Sequence, residues 1–89
     1  MKSNSRPKRY VETSAYLSML RRMIVAAGKR VGHADAEDLV ELLSIRDELD
    51  AAITKAVTGL REDGYTDQSI ADALGVSRPA VTQRWPRRP

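Results

Sequence analysis

Apolar side chains recur at intervals of three and four residues along two long stretches of this 89-residue chain. Such spacing places them on one face of an α-helix, whereas a half-buried strand would alternate apolar and polar residues. The first stretch carries the apolar residues Leu17, Leu20, Ile24, Ala27 and Val31. It predicts a helix from about Ser14 to Val31, which either Gly28 or Gly32 ends.

The second stretch runs from Leu39 to Leu60 and predicts a longer helix. Asp35 is a favourable N-cap and Gly64 supplies a stop, so we expect about 29 residues, or roughly 43 Å of helix. Its apolar positions cover roughly half of the helix circumference, which is more than one neighbour requires. We expect this helix to pack on two sides, against other helices of the chain or against a second protomer.

The composition argues against a disulfide-bonded protein, a metal-binding protein, a membrane protein and an enzyme. The chain has no cysteine, so disulfides and thiolate metal ligands are ruled out, and its single histidine, His33, gives no basis for a metal site. The longest apolar run, from Met23 to Ala27, is far too short for a membrane span or a signal-peptide core. No nucleophile has a histidine base in context and no glycine-rich phosphate loop occurs. We therefore expect a cytoplasmic binding protein, not an enzyme, with no cofactor, metal or small-molecule ligand.

Charge is distributed unevenly along the chain. Residues 1–33 carry eight Lys or Arg and one Glu, residues 34–72 carry three Lys or Arg and eleven Asp or Glu, and residues 73–89 carry four Arg and no acid. Two basic ends therefore flank an acidic middle, which favours an anionic partner at the ends. Residues 1–13 lack apolar periodicity and are predicted to form a disordered basic arm.

Residues 64–86 predict two short helices joined by a glycine turn. Thr66 caps the first helix, and Gly75 ends it in a left-handed conformation. Ser77 caps the second helix, which ends near Trp85 because a proline follows. The spacing of a hydrophobic staple recurs at both helix starts, in the pairs Tyr65 with Ile70 and Val76 with Val81.

The second short helix is about two turns long and cannot be stable alone. We therefore expect Val81 and Trp85, four residues apart, to dock onto the preceding helices. The opposite face then carries Pro79, Thr82 and Gln83, which are uncharged. Arginines border this face at positions 78, 84, 87 and 88. A hydrogen-bonding centre with a cationic border suits base edges in the middle and phosphates at the rim.

The segment DQSIADALGVSRPAVTQRW resembles the helix-turn-helix of bacterial repressors and of the C-terminal region of sigma factors. The resemblance rests on Ala71 at the helix crossing, Gly75 in the turn, Val76 behind it and Val81 as the buried residue of the recognition helix. Residues 39–85 also resemble small actinobacterial and actinophage proteins in which a long helix precedes the motif.

One position departs from the helix-turn-helix pattern. Arg84 stands near the C-terminal end of the recognition helix, where a second aliphatic residue is usual, and Trp85 follows it. We assign the buried role to Trp85. A buried Arg84 would rotate the helix and change the residues that face outward.

The resemblance implies that residues 77–85 lie in the major groove of double-stranded DNA. The residues nearest the bases would be Ser77, Arg78, Pro79, Thr82 and Gln83. Phosphates, or a neighbouring minor groove, would be contacted by Arg84, Arg87 and Arg88 and by the arm residues Lys2, Arg6, Lys8 and Arg9. Gln83 suits adenine, Arg78 suits guanine or a phosphate, and Pro79 or the Thr82 methyl suits a thymine methyl.

Three functions remain open at this point. The first is a homodimeric transcription regulator in the nucleoid, with a packing or dimerisation region at residues 14–63, the helix-turn-helix at 64–86 and a basic tail at 87–89. The second is a nucleoid-associated or architectural protein that recognises a short, abundant site. The third is an interaction module that binds another protein without contacting DNA.

Overall fold

The structure is a computed structural model that describes residues 8–87, with side chains from residue 12 onward. The described part of the chain is all-α and contains four helices and no strand, as the periodicity predicts. The helices are α1 (Lys8–Gly32), α2 (Glu37–Glu62), α3 (Asp67–Leu74) and α4 (Arg78–Arg84). Of these described helices, none combines the length and apolarity that crossing a membrane demands.

The start of α1 differs from the prediction. The helix begins at Lys8, so residues 8–13, predicted to belong to a disordered arm, are helical. The reason is that these six residues contain neither Gly nor Pro, and nothing in them interrupts a helix even where an apolar face is lacking. Gly28 does not end α1 either, since one interior glycine costs only about 1 kcal/mol, and the helix continues to Gly32.

The long helix α2 has 26 residues, slightly fewer than predicted. It begins at Glu37, and Asp35 contributes its backbone carbonyl, which accepts from the N–H of Asp38 at 3.0 Å. Glu37 and Asp38 lie in the first turn, where the helix dipole favours negative charge. After the helix, Gly64 has φ 101°, a left-handed conformation that glycine adopts readily, and so acts as the predicted stop.

The chain divides into two units, one up to Leu43 and one from Ser44 onward. The first unit contains α1 and the first turns of α2. Among its described side chains none is buried, and the most covered hydrophobic ones, which are only partly so, are Leu20, Ala27, Val31 and Leu42. Within residues 12–43 this unit therefore has no closed core of its own.

The second unit contains the rest of α2 together with α3 and α4, and it holds every buried residue of the described chain. Its core is small and apolar: Val57 from α2, Ile70 and Ala71 from α3, and Val81 from α4, with Trp85 packed at the edge. Ala71 and Val81 are 0% exposed. An alanine at this contact permits α3 and α4 to approach closely.

Candidate nucleic-acid interface

The N-terminus of α3 is capped as predicted. The hydroxyl of Thr66 accepts from the backbone N–H of Ser69 at 3.0 Å, and the Ser69 hydroxyl accepts from the Thr66 N–H at 2.9 Å. Two amide groups that the helix leaves without partners are thereby satisfied. The sequence predicted the Thr66 cap but not the reciprocal bond, because Glu or Gln usually occupies the position of Ser69.

The turn between α3 and α4 also has the predicted conformation. Gly75 has φ 73° and ψ 31°, and its N–H donates to the carbonyls of Ala71 and Asp72. At the start of α4, the Ser77 hydroxyl accepts from the N–H of Ala80 at 3.2 Å. Pro79 lies in the first turn of α4, where its missing N–H removes no helical hydrogen bond. Two capped helices with a glycine turn are thus confirmed.

The orientation of α4 follows from its two inward residues. Val81 is completely buried and Trp85 is half-buried, while Arg84 is exposed. The assignment of the inward role to Trp85 and not to Arg84 is therefore confirmed. The Arg84 guanidinium lies 5.3 Å from the centroid of the Trp85 ring, within the range of a cation–π interaction.

The residues in and next to α4 that were predicted to face a duplex are exposed on the surface of the second unit. All five of those expected nearest the bases are exposed, namely Ser77, Arg78, Pro79, Thr82 and Gln83. Arg84 and Arg87 are exposed beside them. This surface presents an amide, a proline ring and guanidinium groups from one short helix and the residues after it.

Asp67, the first residue of α3, joins three segments of the second unit. Its carboxylate accepts from Arg61 Nε of α2 at 2.9 Å, from the Thr82 hydroxyl of α4 at 3.0 Å and from the Arg87 guanidinium at 3.3 Å. The hydrogen bond from Arg61 holds the pKa of the Asp67 carboxyl below its ordinary value of 3.8. Desolvation opposes this lowering of the pKa, while Thr82 and the charge of Arg87 support it.

This network changes what two of the predicted contact residues can offer. The Thr82 hydroxyl faces acceptors inside the protein, since it lies 3.0 Å from Asp67 and 3.2 Å from the carbonyl of Arg78. Its one hydrogen is therefore committed within the protein, and the methyl group and the acceptor side of the hydroxyl oxygen are left for a base. Arg87 is 57% exposed at its side chain and contacts Asp67 through one nitrogen, so other donors of its guanidinium remain available.

Arg61 is a residue that the sequence analysis missed. Besides its bond to Asp67, it donates through one terminal nitrogen to the Trp85 carbonyl at 2.7 Å. That carbonyl stands at the end of α4, where no further helical turn supplies a donor. Arg61 thus connects both α3 and α4 to α2 by hydrogen bonds. No periodicity or motif in the sequence indicates this role.

Several predicted contact residues are not placed by the structure. Lys2, Arg6 and Arg88 lie outside the described residues. Lys8 and Arg9 belong to the first turn of α1, and their side chains are not among those described. Among the described residues, no three His, Asp or Glu side chains are grouped as a metal ion requires.

Comparisons with known proteins give no match. No protein-family model, no curated protein and no solved structure matches this chain.

Proposed function

We propose that this protein binds double-stranded DNA in a sequence-specific manner through α4, as a small homodimeric transcription regulator. One observation carries the proposal: α4 is anchored inward by Val81, while Arg78, Pro79 and Gln83 are all exposed. A short helix held in this way, after a capped partner helix and a tight turn, supports this proposal because helix-turn-helix proteins place such a helix in a major groove.

The outer face of α4 has the chemistry that base edges require. The Gln83 amide offers a donor and an acceptor, which together match the N6 and N7 groups of adenine. Arg78, at the N-terminal end of α4, suits guanine or a phosphate. Pro79 and the methyl of Thr82 are apolar and suit a thymine methyl.

The border of this face suits the phosphate backbone. Arg84 and Arg87 follow one another closely at the end of α4, and the last 17 residues, 73–89, contain no acidic residue. Each Lys or Arg that neutralises a phosphate releases counterions and makes binding more sensitive to salt. The interface is therefore expected to weaken steeply as ionic strength rises.

Selection from a random duplex library tests the proposal. We expect the purified protein to enrich a short motif, and Gln83→Ala to lose about 1–3 kcal/mol of discrimination at one base pair with little change in non-specific binding. Gln68→Ala is a matched control, because Gln68 is exposed on α3 and its amide contacts Asp72 at 2.8 Å. Absence of binding at low ionic strength, or an equal loss on all sequences for Gln83→Ala, overturns the proposal.

Mapping of bound sites in cells separates the regulator from the other two functions considered. A regulator occupies few strong sites, and a two-fold dimer requires half-sites about 10 base pairs apart or a multiple of that distance. Thousands of short-motif sites would indicate an architectural protein instead. No enrichment at all would indicate a protein-interaction module.

A further inference from the structure

Two exposed apolar seams run along the long helices. The α1 seam consists of Leu17, Leu20, Ile24, Ala27 and Val31, and the α2 seam consists of Leu39, Leu42, Arg46, Leu49, Ile53, Ala56 and Leu60. In both, the intervals alternate strictly between three and four residues, which is the 3.5-residue repeat of helices that wind around each other. Scattered surface apolar residues would not keep this register.

Neither seam is buried: Leu20, Ala27, Val31 and Leu42 are partly covered, and the other seam residues are exposed. Ile24 is 47% exposed, Leu39 is 49% exposed and Ile53 is 38% exposed, and no residue of either seam is buried. The one buried residue of α2, Val57, is off its seam and faces the core with α3 and α4. Within the second unit, the core with α3 and α4 therefore leaves the α2 seam available for another contact.

The charges of the two helices favour the pairing of an α1 helix with an α2 helix. α1 (Lys8–Gly32) carries six basic residues and one acidic residue, a net charge of +5, whereas α2 (Glu37–Glu62) carries three basic and seven acidic residues, a net charge of −4. Two α1 helices would repel each other, and so would two α2 helices. A second copy of the chain supplies the opposite charge to both helices at once, through a two-fold arrangement.

We propose that two copies of this protein associate by packing the α1 seam of one copy against the α2 seam of the other. This inference rests on the homodimer of the proposed function and names its interface. Arg46 is the one charged residue in the α2 seam, and a single polar position of this kind fixes register at a cost in stability. The α4 surface takes no part in the contact.

Mass measurement with matched variants tests the interface. By analytical ultracentrifugation we expect a species of twice 9.9 kDa, and Ile24→Glu to raise the dimer dissociation constant roughly 100-fold or more, because each dimer contains the change twice. Val25→Glu is the control, since Val25 is 58% exposed but lies off the seam. A wild-type monomer at 100 micromolar, or equal effects of the two variants, overturns the proposal.

Two further measurements define the pairing. Arg46→Leu is expected to tighten the dimer, which a variant that merely failed to fold could not do. The chain contains no cysteine, so a single cysteine can be introduced at a chosen position. One variant carries it on the α1 seam and a second variant carries it on the α2 seam, and the two variants are mixed. Disulfides between α1 and α2 of different copies support the proposal, and exclusive α1-to-α1 disulfides contradict it.

DNA binding, measured separately by fluorescence anisotropy, distinguishes the two proposals. A dimer that ignores DNA retains this inference and refutes the proposed function. A stable monomer that binds DNA refutes this inference and the homodimer of the proposed function, and leaves only the proposed DNA binding through α4.

Discussion

Arg61 Nε and Asp67 Oδ1 lie 2.9 Å apart, and the side chains that carry them are only 9% and 11% exposed. The pair connects the last turn of α2 with the first residue of α3. Around it, Thr82 and the Trp85 carbonyl complete a network that includes α4. A polar cluster therefore supplements an apolar core that contains only four buried residues.

Acid should weaken the second unit through Asp67. Because the folded-state pKa of this carboxyl is lowered, its contribution to stability is present above the ordinary value of 3.8 and is lost as the pH falls through the folded-state pKa. We expect Asp67→Asn to lower the thermal midpoint at neutral pH and to flatten the acid end of the stability profile. Unfolding followed by circular dichroism between pH 2 and pH 7 measures both effects.

Asp72→Asn is the control for this experiment, because the Asp72 carboxylate is exposed and accepts from the neutral Gln68 amide. It should leave the acid dependence intact. An acid profile that is the same for wild type and Asp67→Asn would refute the role given to Asp67.

Gly75 and Gly59 should respond to alanine in opposite directions. At both positions an added Cβ would meet no atom within 4 Å. A difference in stability between the two variants therefore reports the backbone conformation and not a steric clash. Gly75 has φ 73°, and Gly75→Ala should cost about 1–2 kcal/mol because a left-handed residue with a Cβ is strained. Gly59 lies inside α2, and Gly59→Ala should stabilise by about 0.5–1 kcal/mol. Urea unfolding measures the change in the free energy of unfolding for both variants. A change of the same sign in the two variants would contradict this account.

Val81→Ala should loosen α4. Val81 is 0% exposed, so the loss of about two methylene-sized groups at about 0.8 kcal/mol each, plus a residual cavity, gives a destabilisation of about 2 kcal/mol. Val76→Ala removes the same atoms at a position that is 46% exposed and should cost much less. Equilibrium unfolding compares the two, and equal losses would show that Val81 does not anchor the helix.

Arg84→Gln should mainly change how strongly DNA binding depends on the salt concentration. If Arg84 neutralises one phosphate, its removal should reduce the slope of log binding constant against log salt by about one unit without changing the preferred sequence. Titrations at several salt concentrations measure the slope. Glu62→Gln, a neutralisation at the end of α2, serves as the comparison and should not reduce the slope. An altered base preference for Arg84→Gln would place this residue at a base edge.

The local structure of the second unit was predictable because its determinants are close in sequence. The caps at Thr66 and Ser77, the left-handed Gly75 and the inward turn of Val81 each depend on residues within four positions of one another. Sequence rules describe such short-range geometry well. The exposed face of α4 was predictable for the same reason, because Val81 and Trp85 define its inward side.

What could not be predicted depends on residues far apart in the sequence. Arg61 and Trp85 are separated by 24 positions, and Thr82 and Asp67 by 15. Hydrogen bonds of this kind follow from the packing of three helices and have no local signature. Position on a helical face does not by itself decide burial either, since Leu74 shares a face with Ile70 but is 55% exposed, whereas Ile70 is 5% exposed.

If α4 binds DNA as proposed, the bond from Thr82 to Asp67 has a consequence for methylated cytosine. With its hydrogen held by the carboxylate, Thr82 cannot donate to a base, but it can still contact a thymine methyl through its own methyl group. In the major groove, thymine and 5-methylcytosine carry the same methyl group at the same carbon. At a base pair facing Thr82, enzymatic methylation of a cytosine would then supply the same methyl contact that thymine supplies, and binding would depend on the modification state of the site.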